Sequence, residues 1–193
     1  MSPARVRSAR SARSAESARS ARRATKRTVA RAGMPLESIR LLVLDVDGVM
    51  TDGRLRYGPY GERDKVFHVR DGHGIKAVRA AGIDIGVISG RRSAAVQRRC
   101  RELGIEHVLQ GIEDKGAAFA GLISRLGLGA QQCACIGDDV PDLPIMQQVG
   151  LAVAVADAHA SALAAAHRCT RCAGGSGAVR EVCDWLLAAR GAK

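Results

Sequence analysis

The chain has 193 residues, 47% of them apolar and 25% charged, which is enough to bury the core of one domain. Aromatic residues make up only 3%, which excludes a nucleic-acid reader built on stacked rings, and no apolar run approaches the roughly 18 residues of a membrane-spanning helix. The formal charge of +11 is unevenly placed: ten Lys and Arg against Glu16 put +9 of it in residues 1–32 and leave +2 on the rest.

That first segment repeats Ser-Ala-Arg from Ser8, Ser11, Ser17 and Ser20 and carries almost no large apolar side chain. It cannot bury enough surface to offset its chain entropy, so residues 1–33 are expected to form a disordered basic extension ahead of one domain, 34–193. Its composition suits a polyanion-binding arm, an organelle transit peptide or an extension without function, and Met34 offers an alternative start. A protein acting on polyanions through this arm is the non-enzyme reading of the chain.

Residues 41–53, LLVLDVDGVMTDG, come next. An apolar run bounded by turn formers predicts a strand buried on both faces, and Asp45 and Asp47 follow it at its carboxyl end, where open parallel sheets hold their ligands. Period-two alternation points both carboxylates one way, and Gly48 lets the backbone turn after them. Two acids held together need a cation or a shared proton, and a hard divalent cation such as magnesium suits them. A lone DxDG also fits a turn after a core strand, so its weight depends on the rest of the chain.

Residues 54–69 flank Gly58, Pro59 and Gly61 and predict a β-hairpin projecting from the sheet. Asp71 is placed as the N-cap of a helix through Ile75 and Val78 that ends at Gly82. Residues 83–89 predict a second core strand, Ser93 opens a helix to Leu103, a short strand lies at 107–109, and a helix covers 113–126. Residues 133–136 predict a further strand ending in Gly137, Asp138 and Asp139. A short helix (141–149), a strand (151–155), a helix (159–166) and a terminal helix (177–189) complete the chain.

Strands alternating with helices give an α/β fold with a doubly wound parallel sheet, carrying a small β-hairpin flap and no cap domain. Neither GxGxxG nor GxxxxGK[ST] is present, which weighs against a nucleotide cofactor. Cys133 and Cys135 lie in a predicted strand and share no finger spacing with Cys169 and Cys172; buried thiols are the ordinary reading, zinc the alternative. Gly174, Gly175 and Gly177 before the last helix suit either an anion-binding nest or a plain connection.

Asp45 with Asp47, Ser89, Lys115, and Asp138 with Asp139 and Asp142 recur at strand ends in that order, which resembles the four motifs of the haloacid dehalogenase superfamily. LLVLDVDGVMTDG, VRDGHGIKAV, VISGRRS, CIGDDVPDLPIM, GLAVAVADAHA and AGGSGAVREVCD further resemble the capless 3-deoxy-D-manno-octulosonate 8-phosphate phosphatases, over about residues 38–190. The resemblance implies a magnesium-dependent phosphatase of lipopolysaccharide biosynthesis, cytoplasmic and homotetrameric. It makes Asp45 the nucleophile that forms an aspartyl-phosphate, Asp47 the acid and base, and Ser89 and Lys115 the phosphate-binding pair. It assigns the metal to Asp45, the Asp47 backbone carbonyl and Asp138, with Asp139 and Asp142 supporting the shell or touching substrate. For the substrate it implicates Asp47, His68, Val69, Arg70, Asp71, Gly72, Lys76, Arg91, Arg99, Lys115 and Asp139. Lys76 keeps a charge there but lacks the fork of an arginine. A nine-carbon, sialic-acid-type sugar phosphate is the alternative substrate.

An open, capless site is expected to be walled by neighbouring subunits, with Leu55, Tyr57, Tyr60, Val66 and Phe67 as the hairpin's apolar surface and residues 171–177 reaching across.

Overall fold

The computed structural model describes residues 35–191, all within one compact unit, Ala32–Lys193. The basic segment expected to be disordered lies outside the described residues.

β1 (Leu41–Leu44) is buried at every position, as its unbroken apolar run requires. It leads to a hairpin of β2 (Arg56–Gly58) and β3 (Gly61–Asp64), then to α1 (Val69–Ala80). β4 (Asp84–Ser89), α2 (Ala94–Leu103), β5 (His107–Gln110), α3 (Lys115–Leu126) and β6 (Cys133–Gly137) follow in alternation. α4 (Leu143–Met146), β7 (Leu151–Ala154), α5 (Ala160–Ala165), β8 (Arg168–Cys169) and α6 (Ala178–Ala189) complete the order.

Six strands form one sheet in the order β5-β4-β1-β6-β7-β8, every pairing parallel. β1 lies between β4 and β6, with Leu44 in register with Val87 and Ile136. The carboxyl ends of the three strands that carry the acidic and hydroxyl motifs are therefore adjacent. Burial on both faces holds them there: Phe119 and Leu122 of α3 and Ile75 and Val78 of α1 are fully buried against the sheet residues.

The hairpin forms its own two-stranded sheet, with Tyr57 opposite Glu62 and a register shift between Arg56 and Tyr57. Only this hairpin separates β1 from α1, and only residues 90–93 separate β4 from α2, so neither gap holds a cap domain.

Two local expectations are corrected. Asp71 is not an N-cap: His68 occupies that position, and Asp71, buried in the first turn of α1, accepts a 2.8 Å hydrogen bond from the Arg180 backbone N–H. It ties α1 to α6 instead, and burial pushes its carboxyl upward. Phe67 is not part of the exposed apolar surface of the hairpin but packs against the core, whereas Tyr60, Tyr57, Val66 and Leu55 remain exposed.

Candidate active site

Asp45 follows β1 directly, and its backbone N–H donates to Ile136 O at 3.2 Å, so the first turn beyond β1 is still held by β6. Gly48 takes φ 93°, a left-handed conformation, and a Cβ there would overlap the Asp138 carboxylate. Only glycine lets the two acidic loops approach this closely. Gly174 presses the same turn from behind, where a Cβ would overlap Gly48 O.

Asp45, Asp47, Ser89, Arg91, Lys115, Asp138, Asp139 and Asp142 line one cleft of about 190 Å³ at the carboxyl edge of the sheet. The four residues expected to catalyse are together. Asp45, Ser89, Lys115 and Asp142 are buried, while Asp47 and Asp138 are partly exposed. α3 supplies Lys115 at its first position because Asp114 caps the helix, accepting from the Ala117 N–H at 2.9 Å.

Lys115 Nζ donates to Asp45 Oδ1 and Asp142 Oδ1, each at 2.7 Å. The other Asp142 oxygen accepts from the N–H groups of Asp138 (3.0 Å) and Asp139 (3.4 Å). Asp142 thus supports both the lysine and the loop that carries Asp138. Burial and the neighbouring Asp142 charge push the Asp45 carboxyl up to about 6, with Lys115 pulling the other way. Burial, then Asp45, Asp142 and Asp139, push Asp138 up to about 7. Burial alone would lower Lys115, but Asp45 and Asp142 outweigh it and hold the ammonium charged.

Ligand oxygens of Asp45, Asp138 and Asp142 lie within 4.8 Å of one another, and this is the one such cluster among the described residues. Three carboxylates against one ammonium leave excess negative charge in a partly dry site, and oxygen donors alone suit a hard divalent cation. Magnesium therefore fits. Asp45 and Asp138 of the expected ligand set belong to this cluster and Asp142 joins it, while the Asp47 side chain turns toward the hairpin.

There, Lys65 Nζ contacts Asp47 Oδ1 and lies 3.2 Å from Glu62 Oε2, and Arg91 Nε lies 3.8 Å from Asp47 Oδ2. Sequence reasoning missed Lys65 and Glu62. Charges on a two-stranded ribbon read as solvated, and only the folded hairpin turns them inward.

The other substrate-binding candidates do not line this cleft. Arg70 borders a separate cavity of about 290 Å³ beside Arg171, Arg180 and Trp185. Arg99 pairs with Glu102 at 3.4 Å and lies against Gly72. His68, Val69, Asp71 and Lys76 belong to α1 or its N-cap. The glycine segment is no open nest: Gly174 N donates to Asp157 Oδ1 and Gly175 N to Val49 O, both at 2.9 Å, so these donors are committed inside the fold. Cys133 and Cys135 are buried in β6, and Cys169 is exposed.

Residues 108–182 match a family of haloacid dehalogenase-like hydrolases. The chain is 50% identical to the 3-deoxy-D-manno-octulosonate 8-phosphate phosphatase of Escherichia coli K12 over 155 residues, 80% of this chain and 82% of the relative. It superposes on the crystal structure of that phosphatase from Yersinia pestis with a TM-score of 0.79 at 50% identity, covering 81% of this chain and 85% of the other. The Moraxella catarrhalis phosphatase, solved in complex with magnesium, phosphate and a KDO molecule, gives a TM-score of 0.78 at 42% identity, covering 80% and 89%.

Proposed function

The chain belongs to the 3-deoxy-D-manno-octulosonate 8-phosphate phosphatases of the haloacid dehalogenase-like hydrolases, and from that premise we propose that it hydrolyses 3-deoxy-D-manno-octulosonate 8-phosphate to the free sugar acid and inorganic phosphate. The observation that carries this reading is the convergence of Asp45, Asp47, Ser89, Lys115 and Asp138 in one cleft.

A phosphate monoester is hydrolysed very slowly in water, and covalent catalysis divides the task. In the proposed reaction an Asp45 carboxylate oxygen attacks phosphorus, the bond from phosphorus to the sugar oxygen breaks, and Asp47 gives its proton to that oxygen. Water then attacks the aspartyl-phosphate, Asp47 takes the water's proton, and phosphate leaves. Lys115 orients Asp45 before attack and faces the negative phosphoryl oxygens, and Ser89 adds a hydroxyl donor from the end of β4. Asp45, Asp138 and the main-chain carbonyl of Asp47 would hold magnesium, which when bound supplies positive charge against the transferring group. Asp142 keeps Lys115 and the Asp138 loop in place, and Asp139 borders the cleft mouth.

The free sugar acid feeds lipopolysaccharide biosynthesis, and a cytoplasmic location fits that role; no helix among the described residues is long and apolar enough to cross a membrane. A homotetramer fits the exposed apolar surface of the hairpin, Tyr57, Tyr60, Val66 and Leu55, which a ribbon cannot bury alone. In that assembly a neighbour would bring the exposed Val69, Arg70 and Lys76, with the partly exposed His68 and Arg99, toward a cleft that lacks them in one protomer, while Asp71 and Gly72, buried against Arg180 and Arg99, support that turn from inside.

The test is phosphate release from a panel of sugar phosphates with magnesium present. Preference for the eight-carbon acid supports the reading, preference for a nine-carbon acid phosphate replaces the substrate, and no release from either refutes it.

A further inference from the structure

The hairpin reaches Asp47 through one buried cation. Lys65 directly follows β3, a strand of a surface ribbon, yet its side chain is only 2% exposed. Burying an ammonium costs several kcal/mol unless carboxylates answer it, so its position is dictated by its two partners, Asp47 and Glu62. Glu62 is anchored in turn, because its Oε1 accepts from the Ser93 hydroxyl at 2.8 Å just before α2. Lys65 is therefore braced against the body of the fold as well as against its own ribbon.

Arg91 closes the ring, 3.8 Å from Asp47 Oδ2 and 3.7 Å from Glu62 Oε2, and donates to the Tyr57 hydroxyl at 3.0 Å. The two cations differ in freedom. Arg91 is 42% exposed at the cleft mouth and can exchange these partners for an incoming anion, whereas Lys65 has no solvent-facing route to do so. They also differ in which oxygen they hold. Lys65 contacts Oδ1, and Oδ2 stays beyond hydrogen-bond distance of Arg91, so Oδ2 is the oxygen left to carry a proton.

We propose that Lys65, braced by Glu62, is a positioning residue that fixes the Asp47 carboxyl with Oδ2 toward the leaving oxygen, so that the hairpin governs proton donation. Lys65 keeps its own proton throughout: the proton passes from Asp47 to the bridging oxygen as the phosphorus–oxygen bond breaks. The inference rests on the reading of Asp47 as the proton donor given above.

The test separates leaving groups. A sugar alcohol must be protonated as it departs, whereas p-nitrophenolate leaves without a proton, so an effect confined to proton donation strikes the first and spares the second. Single-turnover release is measured for Lys65→Met, Lys65→Arg and the unaltered chain with both substrates. Lys65→Met is expected to slow sugar release about a hundredfold and nitrophenolate release no more than about threefold, with Lys65→Arg restoring part of the loss. Equal losses on both substrates would reduce Lys65 to a structural role and overturn the proposal, as would an undiminished rate on the sugar phosphate. If Lys65→Met fails to fold by circular dichroism, Glu62→Gln, which keeps Lys65 on Asp47 but removes its brace, is expected to show the same selectivity at about tenfold, and equal losses there overturn it too. The unaltered chain's rate on the sugar phosphate is measured first and tests the substrate reading separately. If that rate is absent, glycerol phosphate takes its place as the substrate with a poor leaving group.

Discussion

Replacing Asp142 by Asn tests whether that residue is the hub of the cleft. Its Oδ1 accepts from Lys115 at 2.7 Å and its Oδ2 from the N–H groups of Asp138 and Asp139. The charge terms nearly cancel. At an effective dielectric of about 20, the lost attraction to Lys115 at 2.7 Å is about 6 kcal/mol, and the relieved repulsions from Asp45 and Asp138 at up to 4.8 Å are about 3.5 kcal/mol each, about 7 together. What remains is hydrogen bonding. Asparagine has one oxygen and one NH₂ where the site presents donors on both sides, so either the ammonium or the loop N–H groups lose their acceptor, at about 1–3 kcal/mol in a buried position. A net loss of about 2 kcal/mol lowers the melting temperature of a domain this size by roughly 4–8 °C. Circular dichroism melting of Asp142→Asn in EDTA, against the unaltered chain, is the measurement. A midpoint unchanged to within about 1 °C, or raised, would show that charge repulsion rather than the acceptor geometry governs the cluster.

Asp45→Asn keeps the shape of the nucleophile but removes its charge, and turnover is expected to fall by about three orders of magnitude or more; a tenth of the original rate would end the covalent reading. Magnesium at about a hundred times its dissociation constant is expected to stabilise the EDTA-treated chain by about 2.7 kcal/mol in a denaturant titration, and by far less in Asp138→Asn. Glu181 accepts from the N–H groups of Arg171 (3.0 Å) and Cys172 (3.2 Å), which outweigh its burial and hold its carboxyl below the usual glutamate range. Its contribution is therefore present above the ordinary glutamate value and lost as pH falls through the lowered one, and Glu181→Gln should flatten that part of the stability-against-pH curve. Tyr60→Glu with Leu55→Glu is expected to reduce the assembled mass seen by light scattering while leaving the circular dichroism spectrum unchanged; an unaltered assembly would move the interface off the hairpin.

The positions of the proposed catalytic set were legible because Asp45, Asp47, Ser89 and Asp138 lie at or just past strand ends that LLVLDVDG, VISG and CIGDD announce locally, and Lys115 lies at a helix start; the roles themselves came from the resemblance. A parallel sheet with β1 between β4 and β6 brings such ends together whatever the intervening helices are. What escaped detection depends on contacts distant in sequence. Asp71 looks like a cap from its neighbours, but its partner is the backbone of Arg180, 109 residues away. β8 is two exposed residues long, too short for any periodic signal. Lys65 and Phe67 turn inward from a ribbon whose alternation is broken by a register shift, so neither burial follows from counting along the chain.

The residues assigned to substrate recognition divide along the same line. Arg91 and Asp139 each lie two positions past a strand end and reach the cleft of their own chain, whereas Arg70 sits at the start of α1 and opens onto the cavity beside α6. A helix that starts after a projecting hairpin is placed by its packing against α6, through Asp71 and Arg180, and not by the sheet edge. Its first turn therefore does not border the cleft of its own chain. Of the cations that the resemblance implicates for the substrate, only Arg91 and Lys115 line this cleft, and Arg91 is the exposed one at its mouth. It also lies 3.7 Å from Glu62 and donates to Tyr57, both of the hairpin, and lies 3.8 Å from Asp47, so the ribbon and the proposed proton donor meet at one exposed arginine.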